Sequence, residues 1–368
     1  MESPIRVAEV MGYMNGGGVE AVVMNYYRHI DRTRVQFDLI VCEGSTLIPR
    51  DEIESLGGRV FIVPSYSRPL QFMAAVENLI REQGWKIVHS HMNALSVFPL
   101  QAAKMAGVPV RIAHSHSTSG KGEYVKNLVK AVLKTQANRY PTNRFACSRY
   151  AGEWLFGKGS DFQVVYNAID LDRFRFNAEA RAQARADLGL VGDQFAIGHV
   201  GRFMAQKNHG FLIDAFAEVA KAREDAVLLL VGTGEAEASV KALVDERGLS
   251  DRVKFLGQRD DVNRLYQAFD AFVLPSLYEG LGLVGVEAQV SGLPCLLSDT
   301  ITREVDVTRE CRFLTIDDPS VWAGELRALS ARTDSEREAV SRGSFDDYDI
   351  ESQGKRLTEN YLNLYPGK

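Results

Sequence analysis

Residues 195–208 read Phe195-Ala-Ile-Gly-His-Val-Gly-Arg-Phe-Met-Ala-Gln-Lys-Asn208. A strand-like run over 195–200 ends in Gly201-Arg202, and Lys207 follows at the start of a helical pattern. The weight of this stretch comes from its position, because here a pattern begins for the second time. Upstream, short apolar runs at 5–11, 37–42, 59–63, 87–90 and 110–114 alternate with amphipathic stretches such as 19–30 and 70–81. Downstream, runs at 195–200, 226–231, 253–256, 271–274 and 295–297 alternate with helices again. Near-continuous apolar runs are strands covered on both faces. Strand–helix alternation implies parallel sheets joined by right-handed crossovers. The expectation is an α/β chain of two Rossmann-like doubly wound domains, 1–170 and 171–346. Their junction falls in Val164-Val-Tyr-Asn-Ala-Ile-Asp-Leu-Asp-Arg-Phe174. Such folds bind ligands at the carboxyl ends of their strands, so the expected site is a cleft between two facing domains.

The bulk composition agrees with a soluble globular chain. Of 368 residues, 45% are hydrophobic and 25% charged. Cys42, Cys147, Cys295 and Cys311 form no CxxC pair, which speaks against a zinc finger or a disulfide framework. The opening MESPIRVAEVMG lacks a basic segment followed by an apolar one, and no apolar run approaches the ~20 residues of a spanning helix. The expected location is the cytoplasm, with room for contact at the inner face of the membrane. The net charge of -5 is unevenly spread. Residues 1–170 carry 19 Lys/Arg against 15 Asp/Glu, and residues 103–149 carry nine against the single Glu123. Such asymmetry suggests an anionic partner for the first half.

Several motifs sit at expected strand ends. Gly16-Gly-Gly18 precedes a helix, where backbone N–H groups and the helix dipole favour phosphate, or where the chain simply turns tightly. It is not GxGxxG, which disfavours a nicotinamide cofactor. Arg202 offers a bidentate fork and Lys207 a point charge, a pair suited to a diphosphate. Gly232-Thr-Gly234 repeats the strand-then-glycine pattern. In Ser276-Leu-Tyr-Glu-Gly-Leu-Gly-Leu-Val-Gly-Val-Glu287, Glu279 falls in a loop and Glu287 in a helix starting near Leu283. No further carboxylate or histidine accompanies them, so no metal site is expected. Phosphate-friendly N–H groups between two hydroxyl-accepting carboxylates suit a sugar nucleotide. His89-Ser-His91 and His114-Ser-His116 each place two imidazoles on one side of a strand end. Residues 124–137 read as an amphipathic helix with Lys126, Lys130 and Lys134 in a row, either core-facing or lying on an anionic membrane.

These residues together resemble the retaining glycosyltransferases of family four, which have the GT-B fold. The resemblance spans nearly the whole chain and is most like members that assemble bacterial capsule or exopolysaccharide. It rests on Gly16–Gly18, the 164–170 segment, Gly201-Arg202 with Lys207, Val253-Lys-Phe-Leu-Gly257, and Leu274-Pro-Ser-Leu-Tyr-Glu-Gly280 running into Glu287-Ala-Gln-Val-Ser-Gly-Leu-Pro294. It implies a nucleotide-sugar donor, most commonly a UDP-sugar, a glycan or lipid-linked acceptor, and neither metal nor cofactor nor nucleic acid. It assigns Arg202 and Lys207 to the donor diphosphate and Glu287 to the ribose. Glu279 and the backbone of Gly280, Leu281, Gly282 and Leu283 go to the donor sugar, with Gly201 beside the phosphates. Gly16 and Gly17 close over the diphosphate, and His116 is the best match to the active-site histidine near the donor sugar, with His114 the second choice; His91 and His114 are candidate acceptor or sugar contacts. Residues 347–368 are a helix expected to return to the first domain. Lys121, Lys126, Lys130 and Lys134 are the candidate membrane contacts. A nucleotide-sugar epimerase and a non-catalytic nucleotide-sugar binder remain alternatives on the same architecture. The chain departs from the family at Leu281-Gly-Leu-Val-Gly285, where a bulkier residue is common at 281, and this departure bears on sugar choice.

Overall fold

The computed structural model describes residues 3–116 and 131–365. The chain divides into two compact units, one of Met1–Asp170 with Asp346–Lys368 and the other Leu171–Phe345.

The first unit holds a sheet of β1 (Ile5–Gly12), β2 (Val35–Cys42), β3 (Arg59–Val63), β4 (Ile87–Ser90), β5 (Val110–Ser115), β6 (Asn143–Ala146) and β7 (Gln163–Val164). Their order is β3-β2-β1-β4-β5-β6-β7, and every pairing is parallel. The second unit holds β8 (Phe195–Val200), β9 (Ala226–Val231), β10 (Val253–Phe255), β11 (Ala271–Leu274), β12 (Cys295–Ser298) and β13 (Arg312–Leu314). Their order is β10-β9-β8-β11-β12-β13, again wholly parallel. This is the doubly wound arrangement expected from the alternation. Both β2 and β9 are buried at every position, as strands covered by helices on two faces must be. The second core gathers Phe216, Leu228, Leu230 and Trp322, each contributing about 1.5–3 kcal/mol on burial. Strands β6, β7 and β13 escaped the sequence reading. They are short, and the exposed or half-exposed Arg144, Gln163 and Arg312 interrupt their apolar character.

Each sheet reverses direction once, between β1 and β4 and between β8 and β11. A crevice opens at such a reversal, where neighbouring strand ends send their loops apart. In the second unit the Leu277 N–H donates to the Gln206 carbonyl at 2.8 Å, tying the loops after β8 and β11 together.

The last helix, Ile350–Leu364, belongs to the first unit and packs on the helix Gly18–His29. The approach is close: a Cβ at Gly354 would lie 2.7 Å from the His29 carbonyl oxygen, so only glycine fits. Tyr361 projects from this helix and is 1% exposed. No helix among the described residues is long and apolar enough to cross a membrane. Lys121, Lys126 and Lys130 lie outside the described residues, whereas Lys134 places its ammonium 5.0 Å over the Trp154 ring.

Candidate active site

In the second unit, β8 ends at Val200 and delivers Gly201 and Arg202 to the reversal point. A Cβ on Gly232 would lie 2.2 Å from the Gly201 carbonyl oxygen, so glycine is needed there for the two loops to cross. Arg202 is exposed and makes no ion pair or hydrogen bond among the described residues. Lys207 is held differently. Its Nζ donates to Glu279 Oε1 at 2.7 Å, and both side chains are largely buried. Gln206 supports the pair by donating to the Tyr278 carbonyl at 2.9 Å and to Glu279 Oε2 at 3.3 Å. The loop then passes Gly282, whose φ of 85° lies in the left-handed region that favours glycine, and caps the helix Leu283–Val290.

Glu287 sits within that helix. The Tyr266 hydroxyl donates to its Oε2 at 2.9 Å. Burial pushes the Glu287 carboxyl up to about 7, against the opposing pull of the Tyr266 hydrogen bond and the Lys207 charge. A carboxyl poised near neutrality can accept ribose hydroxyls once ionised.

The reversal point of the first unit is lined by histidine. Glu9 in β1 is paired in register with His89 in β4 and is fully buried. His91 Nε2 lies 2.8 Å from Glu9 Oε2, and His91 Nδ1 lies 2.8 Å from His116 Nε2. The Tyr361 hydroxyl donates to Glu9 Oε1 at 2.9 Å and lies 2.7 Å from His89 Nδ1. His89 Nε2 lies 3.1 Å from His114 Nδ1. His91, His114 and His116 are 6%, 3% and 7% exposed, so they face one another as much as any ligand. Burial holds His91 down at about 3 and lowers His89, His114 and His116 well below the usual imidazole range. Burial also raises Glu9 well above the usual carboxylate range. The ligand atoms of His89, His91 and His114 lie within 4.8 Å of one another, close enough to consider a metal ion. Five of their six ring nitrogens are engaged by each other, Glu9, Tyr361 and His116, and His114 Nε2 is buried without a partner among the described residues.

The glycine loop also has a tenant. The N–H groups of Asn15, Gly16 and Gly17 all donate to the Glu20 carboxylate, at 3.1, 2.6 and 2.8 Å. The loop is thus a nest for an anion, and its own helix supplies that anion.

The comparisons give this geometry a family. The model described as "Glycosyl transferases group 1" matches residues 180–317, and "Glycosyltransferase Family 4" matches residues 16–173. The chain is 39% identical to EpsF of Bacillus subtilis over 350 residues, covering 91% of this chain and 90% of that protein. The chain belongs to glycosyltransferase family 4. This glycosyltransferase is also 29% identical to the UDP-Gal:alpha-D-GlcNAc-diphosphoundecaprenol alpha-1,3-galactosyltransferase of Escherichia coli, over 81% of this chain and 80% of that one. Its fold matches Anabaena Alr3699/HepE, solved in complex with UDP and glucose, with a TM-score of 0.81 and 19% identity. That match covers 98% of this chain and 100% of the other. The fold is GT-B.

Within the glycosyltransferase the structure brings Arg202, Lys207, Glu279, Gly280, Leu281, Gly282 and Leu283 to one reversal point, with Glu287 in the helix behind them. It brings His91, His114 and His116 to the other. Sequence reasoning passed over Glu9, Glu20, Tyr266 and Tyr361. Two of them carried a signal. Glu9 is a lone acid inside an apolar run, and Glu20 stands three residues after Gly17, the spacing of a capping box. Tyr266 and Tyr361 reach their carboxylates from distant segments and carried none.

Proposed function

We propose that this glycosyltransferase moves a hexosyl group from a UDP-sugar to a glycan or lipid-linked acceptor, retaining the anomeric configuration and needing no metal ion. The observation that carries the reading is Arg202, an exposed cation without a partner among the described residues, beside Lys207 at the carboxyl end of β8. Two cations, one held by Glu279 and one free to reach, can neutralise a departing diphosphate, the task a divalent ion performs elsewhere. Glu287 receives the ribose hydroxyls, and Glu279 turns from Lys207 toward the donor sugar. The Gly280–Leu283 backbone and Gly201 approach sugar and phosphate. Gly16 and Gly17 take the diphosphate once Glu20 swings away, and His116 contacts the donor sugar. UDP as the nucleotide is supported by the UDP-Gal donor named for the Escherichia coli relative and by the UDP complex of Alr3699/HepE. A diphosphoundecaprenol-linked acceptor is supported by the same relative's name. Such an acceptor would be met at the inner membrane face, through the basic stretch that includes Lys121, Lys126, Lys130 and Lys134.

The test is a panel of UDP-sugars with a diphosphoundecaprenol-linked sugar in the presence of EDTA. Acceptor-dependent UDP release and a product whose anomeric configuration matches the donor are expected. Isomerised donor without acceptor would instead mark an epimerase. An inverted product, or turnover only after a divalent cation is restored, would overturn the reading.

A further inference from the structure

Glu9 lies in the centre of a parallel sheet, fully buried, and makes no ion pair with lysine or arginine among the described residues. A buried carboxyl without a cation persists only if its oxygens are hydrogen-bonded or its proton is retained. Both oxygens are engaged, one by Tyr361 and one by His91. The line of contacts continues from His91 to His116 and ends at His116 Nδ1. That atom is buried and faces Asn167, whose side chain favours a proton on the ring, although neither His116 Nδ1 nor Asn167 Oδ1 is in full hydrogen-bond geometry. The backbone N–H of His116 donates to Asn93 Oδ1 at 2.6 Å, which fixes where the ring starts.

We propose that Glu9 and His91 are positioning residues for His116, forming a hydrogen-bond chain through which His116 exchanges a proton with a sugar hydroxyl while every imidazole stays neutral. The proposal rests on the reading of His116 as a substrate contact.

The bonds dictate the proton positions. With Glu9 ionised, His91 donates through Nε2–H and accepts at Nδ1. His116 must then donate through Nε2–H, which leaves a lone pair at its Nδ1. A proton arriving at that lone pair releases the Nε2 proton to His91 Nδ1. The His91 Nε2 proton passes in turn to Glu9. One proton enters at His116, one is stored on Glu9, and each histidine ends with one N–H. His116 has thereby changed from acceptor to donor at its outer nitrogen.

The surroundings favour this over a simple imidazolium. His114 stacks on His116 with ring centres 3.9 Å apart, and His89 lies 4.2 Å from His91. Burial and the neighbouring imidazoles disfavour a charge on any of them. The titratable groups facing the chain are Glu9 from β1, His89 from β4, His114 from β5 and Tyr361 from the C-terminal helix. Tyr26, on the helix after β1, donates to the Tyr166 carbonyl at 2.6 Å and feels the charge of Arg356. Glu9 is the carboxyl among them, so it is where the proton can rest.

The second branch is fixed. Because Tyr361 donates to Glu9, His89 donates its Nδ1–H to the tyrosine oxygen and accepts at Nε2 from His114. This branch holds Glu9 in place without competing for its proton.

The test uses the full chain with 15N-labelled histidine and no ligand. NMR follows the His116 ring nitrogens from pH 9 to pH 5. The expected result is a change from the Nε2–H to the Nδ1–H form as Glu9 takes its proton, without doubly protonated His116. Glu9→Gln keeps an acceptor for Tyr361 and should abolish the change. An imidazolium at His116 in the wild type, or a form that does not move, overturns the proposal even if the variant fails to fold. In turnover, Glu9→Gln should lower kcat by about 100-fold, the range for lost acid–base assistance, with the donor KM within about threefold. A moving proton with unchanged kcat in the variant overturns the substrate contact at His116 and leaves the chain itself established.

Discussion

Glu287→Gln separates a half-buried, near-neutral carboxyl from an ordinary surface one. Burial raises the Glu287 carboxyl to about 7, whereas an unfolded chain ionises it near 4.3. The native state therefore holds a proton that the unfolded state has released. A group raised on folding contributes its full stability below its unfolded value and loses it as pH rises through its folded value. A tenfold change in proton affinity is worth about 1.4 kcal/mol, so ionising Glu287 withdraws about 3.5 kcal/mol from the second unit by pH 8. Glutamine keeps an oxygen for the Tyr266 hydroxyl and never ionises. The stability of Glu287→Gln relative to wild type should thus grow by about 2–3 kcal/mol between pH 5 and pH 8. Trp322 is fully buried in the second unit, so urea unfolding can be followed through it after Trp85 and Trp154 are replaced by Phe. Other titrating groups are common to both proteins and cancel. A stability difference that does not change with pH would refute a raised Glu287.

Three further perturbations test the neighbouring contacts. Lys207→Ala leaves Glu279 largely buried without its cation and should cost about 3 kcal/mol by urea unfolding; adding Glu279→Gln should restore stability but not turnover. Arg202→Ala removes an exposed side chain that has no partner among the described residues, so stability should stay within about 0.5 kcal/mol while turnover falls about 100-fold or more. Glu20→Ala frees the Asn15, Gly16 and Gly17 N–H groups, so UDP should bind more tightly by calorimetry. The helix Gly18–His29 should meanwhile lose about 1 kcal/mol with its capping contact.

The fold was legible because it is written in local signals. Runs such as Ala226–Val231 are apolar at every position, and a strand covered on both faces has no polar alternation to disguise it. The glycine-marked turns after β8 and β11 announced the strand ends beyond which Lys207 and Glu279 now meet. What stayed hidden depends on contacts between distant segments. Lys207 and Glu279 are 72 positions apart, and nothing in either motif says that they pair. Glu9 and Tyr361 are 352 positions apart, joined only because the last helix returns to the first sheet. The anion nest at Gly16–Gly17 was readable, but its occupation by Glu20 follows from side-chain reach rather than from glycine content.

The most direct test of the account is calorimetric titration of UDP in the presence of EDTA, with wild type compared against Arg202→Ala. The account predicts saturable binding to wild type and at least about tenfold weaker binding to the variant, the worth of one charge-assisted hydrogen bond. Equal affinity for the two proteins, or binding that appears only when a divalent cation is added, would contradict it.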